Sequence, residues 1–166
     1  MMSLFKKSLI VFSFLIVTFA SQANTDLASL KARYFDAARE GNQAMLEAFY
    51  DAGLDANVAD EKGYTALILA AYHGHTDTVD YLINTAKANP CQEDNRGNTA
   101  LMGAIFKGHV SVANQLVFAD CNIDEENEQG QTALMFASLF DRQEIINTLI
   151  DKGADTHHKD KAGNTV

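Results

Sequence analysis

The sequence predicts an all-α solenoid of about four stacked helix-turn-helix repeats with hairpin-like connectors. A Gly-x-Thr-Ala-Leu motif occurs at residues 63–67, 97–101 and 130–134, and a fragment of it at 163–166. The glycines of these motifs are 34, 33 and 33 residues apart, a period that belongs to stacked supersecondary units. Hydrophobic residues make up 47% and charged residues 21%, as is typical of a folded globular protein.

The N-terminal segment, residues 1–23, is predicted to be a cleavable signal peptide. Lys6 and Lys7 form a basic region, an apolar run follows to Ala20, and Ser21-Gln22-Ala23 places small residues where a signal peptidase cuts. The alternative, an uncleaved membrane anchor, needs about 20 apolar residues, and this run is shorter. Because a short apolar run is typical of bacterial signals, we expect a periplasmic protein.

The remaining chain is predicted to form one domain after a short lead. The predicted boundaries are 24–29 for the lead, 30–166 for the repeat domain, about 30–62, 63–96, 97–129 and 130–162 for its repeats, and 163–166 for a partial hairpin.

Charge narrows the classes of partner. The formal net charge is −9 at pH 7, and loss of Lys6 and Lys7 with the signal peptide takes it to −11. An acidic chain repels phosphate backbones and anionic lipid headgroups, so we expect no binding to nucleic acid and no membrane insertion after cleavage. We expect instead a monomer that binds a protein, with a basic partner favoured.

Each repeat is predicted to consist of a turn, two helices and a connector. Glycine suits a turn with positive φ, and the hydroxyl of Thr65, Thr99 or Thr132 can cap the first helix. Gly74-His75 and Gly108-His109 separate the two helices. Apolar residues at i, i+3 and i+4 form one face of the second helix; they are Val79, Leu82 and Ile83, then Val112, Leu116 and Val117, then Ile145, Ile146, Leu149 and Ile150.

This order of helix, turn, helix and hairpin-like connector resembles the ankyrin repeat. Gly153-Ala154-Asp155 looks like the Gly-Ala-Asp connector of that family, and residues 53–57 are a variant of it. The resemblance covers about residues 30–166. It implies a protein-binding module that uses its hairpin tips and the exposed face of each first helix as a concave binding surface.

The chain departs from the family pattern in three places. Ile68, Met102 and Met135 stand where the family usually has a histidine, so we expect apolar packing to replace hydrogen bonds there. The first repeat lacks the motif, and its first helix is charged, as suits an N-terminal cap. At the other end, we expect Thr165-Val166 to tuck in as a minimal cap; the alternative is that a partner covers that end.

The sequence offers no catalytic constellation, metal site or cofactor motif. Its serines lack the Gly-x-Ser-x-Gly context, no glycine-rich phosphate loop occurs, and the histidines lack ligand spacing. The acidic run 124–128 misses the spacing of a calcium loop, so a solvated edge is the favoured interpretation. We therefore expect a protein that is not an enzyme.

Cys91 and Cys121 are the two cysteines of the chain. They occupy nearly corresponding connector positions in consecutive repeats, and an oxidising compartment favours pairing. A disulfide would need Cα atoms within about 7 Å. Two small buried thiols in the repeat core are the alternative.

The resemblance also places a binding surface. Tyr72, Phe106 and Leu139 share one repeat position, and His73, Lys107 and Phe140 share the next, so we expect an apolar stripe about three repeats long. Such stripes mark binding sites on soluble proteins; the alternative is that Phe106 and Phe140 cover the core. The predicted partner-binding residues are Tyr64, Tyr72, His73, Arg96, Asn98, Phe106, Lys107, Gln131, Leu139 and Phe140, with Glu61, Lys62, Asn95, Glu128 and Gln129 beside them at the hairpin tips.

Two functions of a periplasmic binding module fit this sequence. The first is an immunity protein that neutralises an exported toxin, since an acidic protein would capture a basic toxin quickly. The second is an accessory or chaperone-like factor for a periplasmic enzyme such as a catalase. A hydrolase or metal-binding protein hidden in a repeat scaffold is a third possibility, which the absent motifs disfavour.

Overall fold

Each repeat folds into a pair of helices followed by a hairpin. The predicted fold class, an all-α solenoid of about four repeats, is therefore confirmed. The structure is a computed structural model that describes residues 28–166. Its helices are α1 (28–40), α2 (Gln43–Asp51), α3 (Ala66–His73), α4 (Thr76–Asn84), α5 (Ala100–Lys107), α6 (Val110–Val117), α7 (Ala133–Leu139) and α8 (Gln143–Asp151). The described residues contain no strand, and Ala59 and Thr65 form one isolated antiparallel bridge. The predicted signal peptide lies outside the described residues, and residues 28 and 29 of the predicted lead are already helical.

The threonines of the repeated motif cap the first helices, as the sequence predicts. Thr65, Thr99 and Thr132 have extended backbones, and their hydroxyls accept the backbone N–H of the residue three positions later at 3.2 to 3.4 Å. A first-turn N–H has no partner within its own helix, so each hydroxyl satisfies a group that would otherwise be buried without one.

Replacement of Thr65 by valine should therefore lower the free energy of unfolding by about 1 kcal/mol. Thr65 is buried, so the N–H of Ile68 would lose its acceptor at 3.2 Å and gain no water. Thr65→Ser keeps the hydroxyl and serves as the control. Thermal unfolding followed by circular dichroism measures both variants, and an equal loss in both would contradict the capping role.

A histidine of each following repeat closes the turn between the two helices. The Nε2 of His75 lies 2.7 Å from the carbonyl oxygen of Arg39, and the Nε2 of His109 lies 3.1 Å from that of Tyr72. Each ring covers a glycine of the preceding repeat, Gly41 or Gly74, whose φ is positive. These histidines thus join neighbouring repeats, and the absence of a side chain on the glycine makes the contact possible.

The core runs between the helix pairs of residues 34–166, which form one unit. Ile68, Met102 and Met135 are buried, so the expected apolar packing at the family's histidine position is confirmed. The faces predicted for the second helices are buried at Val79, Leu82, Val112, Leu116, Val117, Ile145 and Leu149. Ile83 and Ile146 of these faces are half-buried against the core, and Ile150 is an exception at 45% exposed.

The first repeat buries an aromatic cluster in place of the motif. Tyr34 is 1% exposed and its hydroxyl lies 3.0 Å from that of Tyr50. Burial, in the first place, raises the pKa of both hydroxyls. Asp36 and Glu40 of the same helix are exposed, as expected for a capping repeat.

The C-terminal residues do not tuck in as expected. Asp160 Oδ1 accepts the N–H groups of Ala162 and Asn164, and the N–H of Lys161 donates to the carbonyl of Gln129. These bonds stabilise the last hairpin internally and join it to the hairpin of the preceding repeat. Thr165 and Val166 follow it without such bonds and stay exposed, so the expectation of a minimal cap is wrong.

The structure joins the connectors of the second and third repeats through Cys91 and Cys121. The two sulfur atoms are at bonding distance, and the Cα atoms lie 5.5 Å apart. Both residues are half-buried. The bridge links two connectors that are 30 residues apart in the chain.

Candidate partner-binding surface

Three aromatic rings form a ladder across successive repeats on the face of the first helices. Tyr72 and Phe106, in the last turns of α3 and α5, are 36% and 43% exposed, and their rings stack with centroids 6.2 Å apart. Phe140 meets Phe106 edge to face at 5.0 Å. Such ring pairs pack favourably beyond the apolar area that they bury. The aromatic ladder, Tyr72–Phe106–Phe140, is therefore a preformed apolar surface.

The fourth repeat departs from the predicted stripe. Leu139 shares the repeat position of Tyr72 and Phe106, yet it is 69% exposed and lies outside the concave pocket that those two residues line. Helix α7 ends at Leu139, one residue earlier than its counterparts in the other repeats, and Phe140 forms its C-cap. Phe140 therefore takes the ladder position that the sequence assigns to Leu139.

The ladder borders a concave groove of about 600 Å³. The predicted binding residues that line it are Tyr64, Tyr72, His73, Arg96, Asn98, Phe106 and Gln131. Those that do not line it are Lys107, Leu139 and Phe140. The groove also contains Arg39, Met102, Gly103 and Phe136, which the sequence interpretation missed as binding residues. Phe136 lies four residues before Phe140, on the same face of the helix, and that spacing could have revealed it.

The hairpin tips at the rim of the groove are held rigid by one repeated side chain. The residue three before each hairpin glycine accepts the N–H groups of the residues two and four positions later, at 2.8 to 3.0 Å; it is Asp60, Asp94, Asn127 or Asp160. Adjacent tips are also bonded, since the N–H of Asn95 donates to the carbonyl of Lys62 at 2.9 Å. Side chains on these tips are therefore presented from a fixed backbone.

Two predicted binding residues are engaged in this network. Asn127 is 5% exposed, and its side-chain amide donates to the side-chain oxygens of Asn98, at 3.1 Å, and Gln131, at 3.3 Å. Tyr64 is half-buried and packs on the core. Asn98, Gln131 and Tyr64 are thus half-buried and held by neighbouring residues. Tyr72, His73, Arg96 and Phe106 are exposed to a ligand.

The charged groups at the groove are mostly cationic. Lys62 and Arg96 are exposed on neighbouring tips, and Lys107 Nζ lies 5.2 Å from the centre of the Tyr72 ring. Across residues 28–166, none of these three cations makes an ion pair. The one carboxylate that lines the groove, Asp94, accepts the N–H groups of its own hairpin. The net charge of the chain therefore does not describe this surface, and the expected basic partner stays a prediction.

Histidine adds little positive charge to the groove at neutral pH. Partial burial first, and then repulsion from neighbours that include Arg39 and Lys107, lower the pKa of His73. Arg39 is itself compensated, because its guanidinium lies 2.8 Å from Asp36 and 3.8 Å from Asp60. The cations free to meet a ligand are therefore those at Lys62, Arg96 and Lys107.

Among residues 28–166, no helix combines the length and apolar content needed to cross a bilayer. Within the same residues, no group of three histidine, cysteine or acidic side chains is arranged to hold a metal ion.

Comparison with known proteins agrees with the repeat pattern. A family model described as ankyrin repeats in three copies matches residues 34–127, and a single ankyrin repeat matches residues 129–161. An ankyrin repeat protein of Pseudomonas aeruginosa is 51% identical over 45 residues, which cover 27% of this chain and 26% of that protein. The human espin-like protein is 40% identical over 55 residues, which cover 33% of this chain and 6% of that protein. The chain thus spans only a small part of these relatives' length. With the three-copy model alone covering more than half of its residues, the chain belongs to the ankyrin-repeat family, whose members generally act as protein-interaction modules.

Proposed function

We propose that this ankyrin-repeat chain is an exported, monomeric module that captures one periplasmic protein on its concave surface. The observation that carries the proposal is the aromatic ladder, Tyr72–Phe106–Phe140, whose first two rings are exposed at the groove. Aromatic side chains beside an arginine, here Arg96, make up the energetic centres of protein interfaces. Export rests on the predicted signal peptide at 1–23.

Among such modules, an immunity protein against an exported toxin is the proposed role. A partner delivered from outside the cell would meet an exported binder in the periplasm. The acidic surface outside the groove favours fast capture of a basic toxin. The identity of the captured protein decides this point, because a catalase as partner would favour the accessory role instead.

Replacement of Phe106 by alanine should weaken partner binding about 30-fold, because Phe106 contacts both other rings of the ladder. Phe118 offers a matched control. It is 65% exposed at the end of α6, outside the groove, and it also lies under a lysine, with Lys152 Nζ 4.1 Å from its ring centre.

The bait is protein purified from the periplasm of cells that express the full chain. It is added to periplasmic extract of the native cells, with and without the suspected toxin. N-terminal sequencing of the bait tests cleavage after Ala23, and size-exclusion chromatography tests the monomer. A partner held by the wild type and by Phe118→Ala, but lost with Phe106→Ala, supports the proposal. A partner held equally by all three would exclude the ladder as the binding surface.

A further inference from the structure

The floor of the groove contains a pit at the third repeat. Leu69, Gly103 and Phe136 stand at the same position of successive repeats, 34 and 33 residues apart, and all three line the groove. The middle repeat thus has no side chain where its neighbours have large apolar ones. Gly103 lies inside α5 and its backbone does not need a glycine, since a positive φ is found at other glycines and not here.

The pit has apolar walls and leaves room for a Cβ atom on Gly103. A Cβ atom placed on Gly103 would lie 3.8 Å from Cδ2 of Tyr72, which is ordinary contact distance with no clash. Phe106, three residues later on α5, and Met102 also line the groove. A glycine within a helix costs about 1 kcal/mol relative to alanine, so this position gives up helix stability and leaves a recess.

The rim of the pit is cationic. Lys62 and Arg96 line the same groove from neighbouring tips, and Lys107 lies over the Tyr72 ring. Asp94, the carboxylate that lines the groove, is engaged by backbone N–H groups, while Glu61 and Glu128 are exposed on the same tips and do not line it. A ligand with negative charge around an apolar side chain would complement both the rim and the pit.

We propose that the groove binds an acidic segment of the partner protein, which inserts one large apolar side chain into the pit at Gly103 and places its carboxylates against Lys62 and Arg96. This inference rests on the proposed function and names the segment that the captured protein would present. A partner that is basic elsewhere is compatible with it, since the charged groups that line the groove are mostly cationic while the chain as a whole carries a charge of −9.

An acidic protein segment fits better than a nucleic acid, the other common anionic polymer. A phosphate backbone carries charge along its whole length, and the acidic surface outside the groove would repel it. Lys62 and Arg96 are enough to pair with the carboxylates of a short acidic segment. The volume of the groove, about 600 Å³, also accommodates only a short segment.

Two variants test the pit and the rim separately. Gly103→Leu fills the pit and should abolish binding of the segment, while the better helix former raises the thermal midpoint by roughly 3 °C. Loss of binding with gain of stability cannot come from unfolding. Ser111→Leu, on the exposed face of α6 and outside the groove, adds the same side chain and serves as its control.

Lys62→Glu/Arg96→Glu reverses the rim and should weaken binding of the segment about tenfold, with a smaller difference at high salt. Lys87→Glu/Lys159→Glu changes the net charge equally at exposed sites outside the groove and should leave the affinity unchanged.

The probe is a random-peptide phage library selected on the purified protein, followed by synthetic peptides of the selected sequence and an oligothymidylate in fluorescence anisotropy. Acidic peptides with one large apolar residue, which bind both control variants but fail on Gly103→Leu and on Lys62→Glu/Arg96→Glu, support the inference. It is overturned by neutral or basic selected peptides, by no selected sequence, by equal binding to all variants, or by tighter binding of the oligonucleotide.

The same variants separate this inference from the proposed function. A native partner that Phe106→Ala loses, but that Gly103→Leu and Lys62→Glu/Arg96→Glu both retain, would leave the binding module standing and overturn the acidic segment. A partner that binds Phe106→Ala as tightly as the wild type would instead contradict the proposed function itself.

Discussion

Gly74→Ala is expected to lower the free energy of unfolding by about 3 kcal/mol. Gly74 ends α3 with φ 80, and a left-handed backbone costs other residues about 1 kcal/mol or more. A Cβ atom there would also lie 2.6 Å from Nδ1 of His109 and 2.7 Å from its Cε1. The ring would have to move, which costs a further 1–3 kcal/mol or so and breaks its bond to the carbonyl of Tyr72.

Gly53→Ala provides the control, because it separates conformation from crowding. Gly53 has φ 90, yet no atom lies within 4 Å of the position that a Cβ would take. Its substitution should therefore cost only the conformational part, about 1 kcal/mol. Thermal and urea unfolding followed by circular dichroism compare the two variants. Equal losses would mean that the ring of His109 contributes nothing to the packing of the repeats.

The double variant Cys91→Ser/Cys121→Ser is expected to lose about 3–4 kcal/mol of stability. The bridge closes a loop between residues 30 apart in the chain, and a constraint of this length disfavours the unfolded state by about that amount. The bridge also joins the connectors of two neighbouring repeats, so its loss should loosen the second repeat from the third.

Reduction of the wild type gives an independent measurement of the same effect. A reductant should lower the thermal midpoint of the wild type towards that of the double variant and leave the double variant unchanged. Intact-mass spectrometry of the exported protein should show two hydrogen atoms fewer than the reduced form. Identical masses and midpoints would favour the alternative of two unpaired thiols.

Features set by neighbours in the chain could be predicted from the sequence. Thr65 caps α3 because its hydroxyl reaches an N–H only three residues away, and Gly74 adopts the turn because positive φ suits it. Because the motif recurs, the same cap and the same turn can be recognised in several repeats. The period of the motif then implies stacking, so the solenoid itself follows.

Features set by the register between repeats could not be predicted in the same way. Phe140 replaces Leu139 in the aromatic ladder because α7 is one residue shorter than α5, and the aligned motif does not show helix ends. The net charge predicts a basic partner, yet the tips bring Lys62 and Arg96 to the groove while their acidic neighbour Asp94 is engaged elsewhere. Which charges are free is decided by hydrogen bonds, and the sequence does not show those.

The histidines that close the helix turns give the array a polarity. Each of them belongs to one repeat and bonds a carbonyl of the repeat before it, so the supporting group always comes from the C-terminal side. Arg142 continues the series, with its guanidinium over Gly108. At Asp141, the equivalent of that glycine, the turn carries a side chain at φ 54. Fraying of the fourth repeat therefore uncovers Gly108 of the third, whereas fraying of the first repeat removes acceptors from the second, namely the carbonyl of Arg39 for His75 and the side-chain oxygen of Asn57 for the N–H of Asn89. The two ends of the array thus leave different groups without partners when they fray.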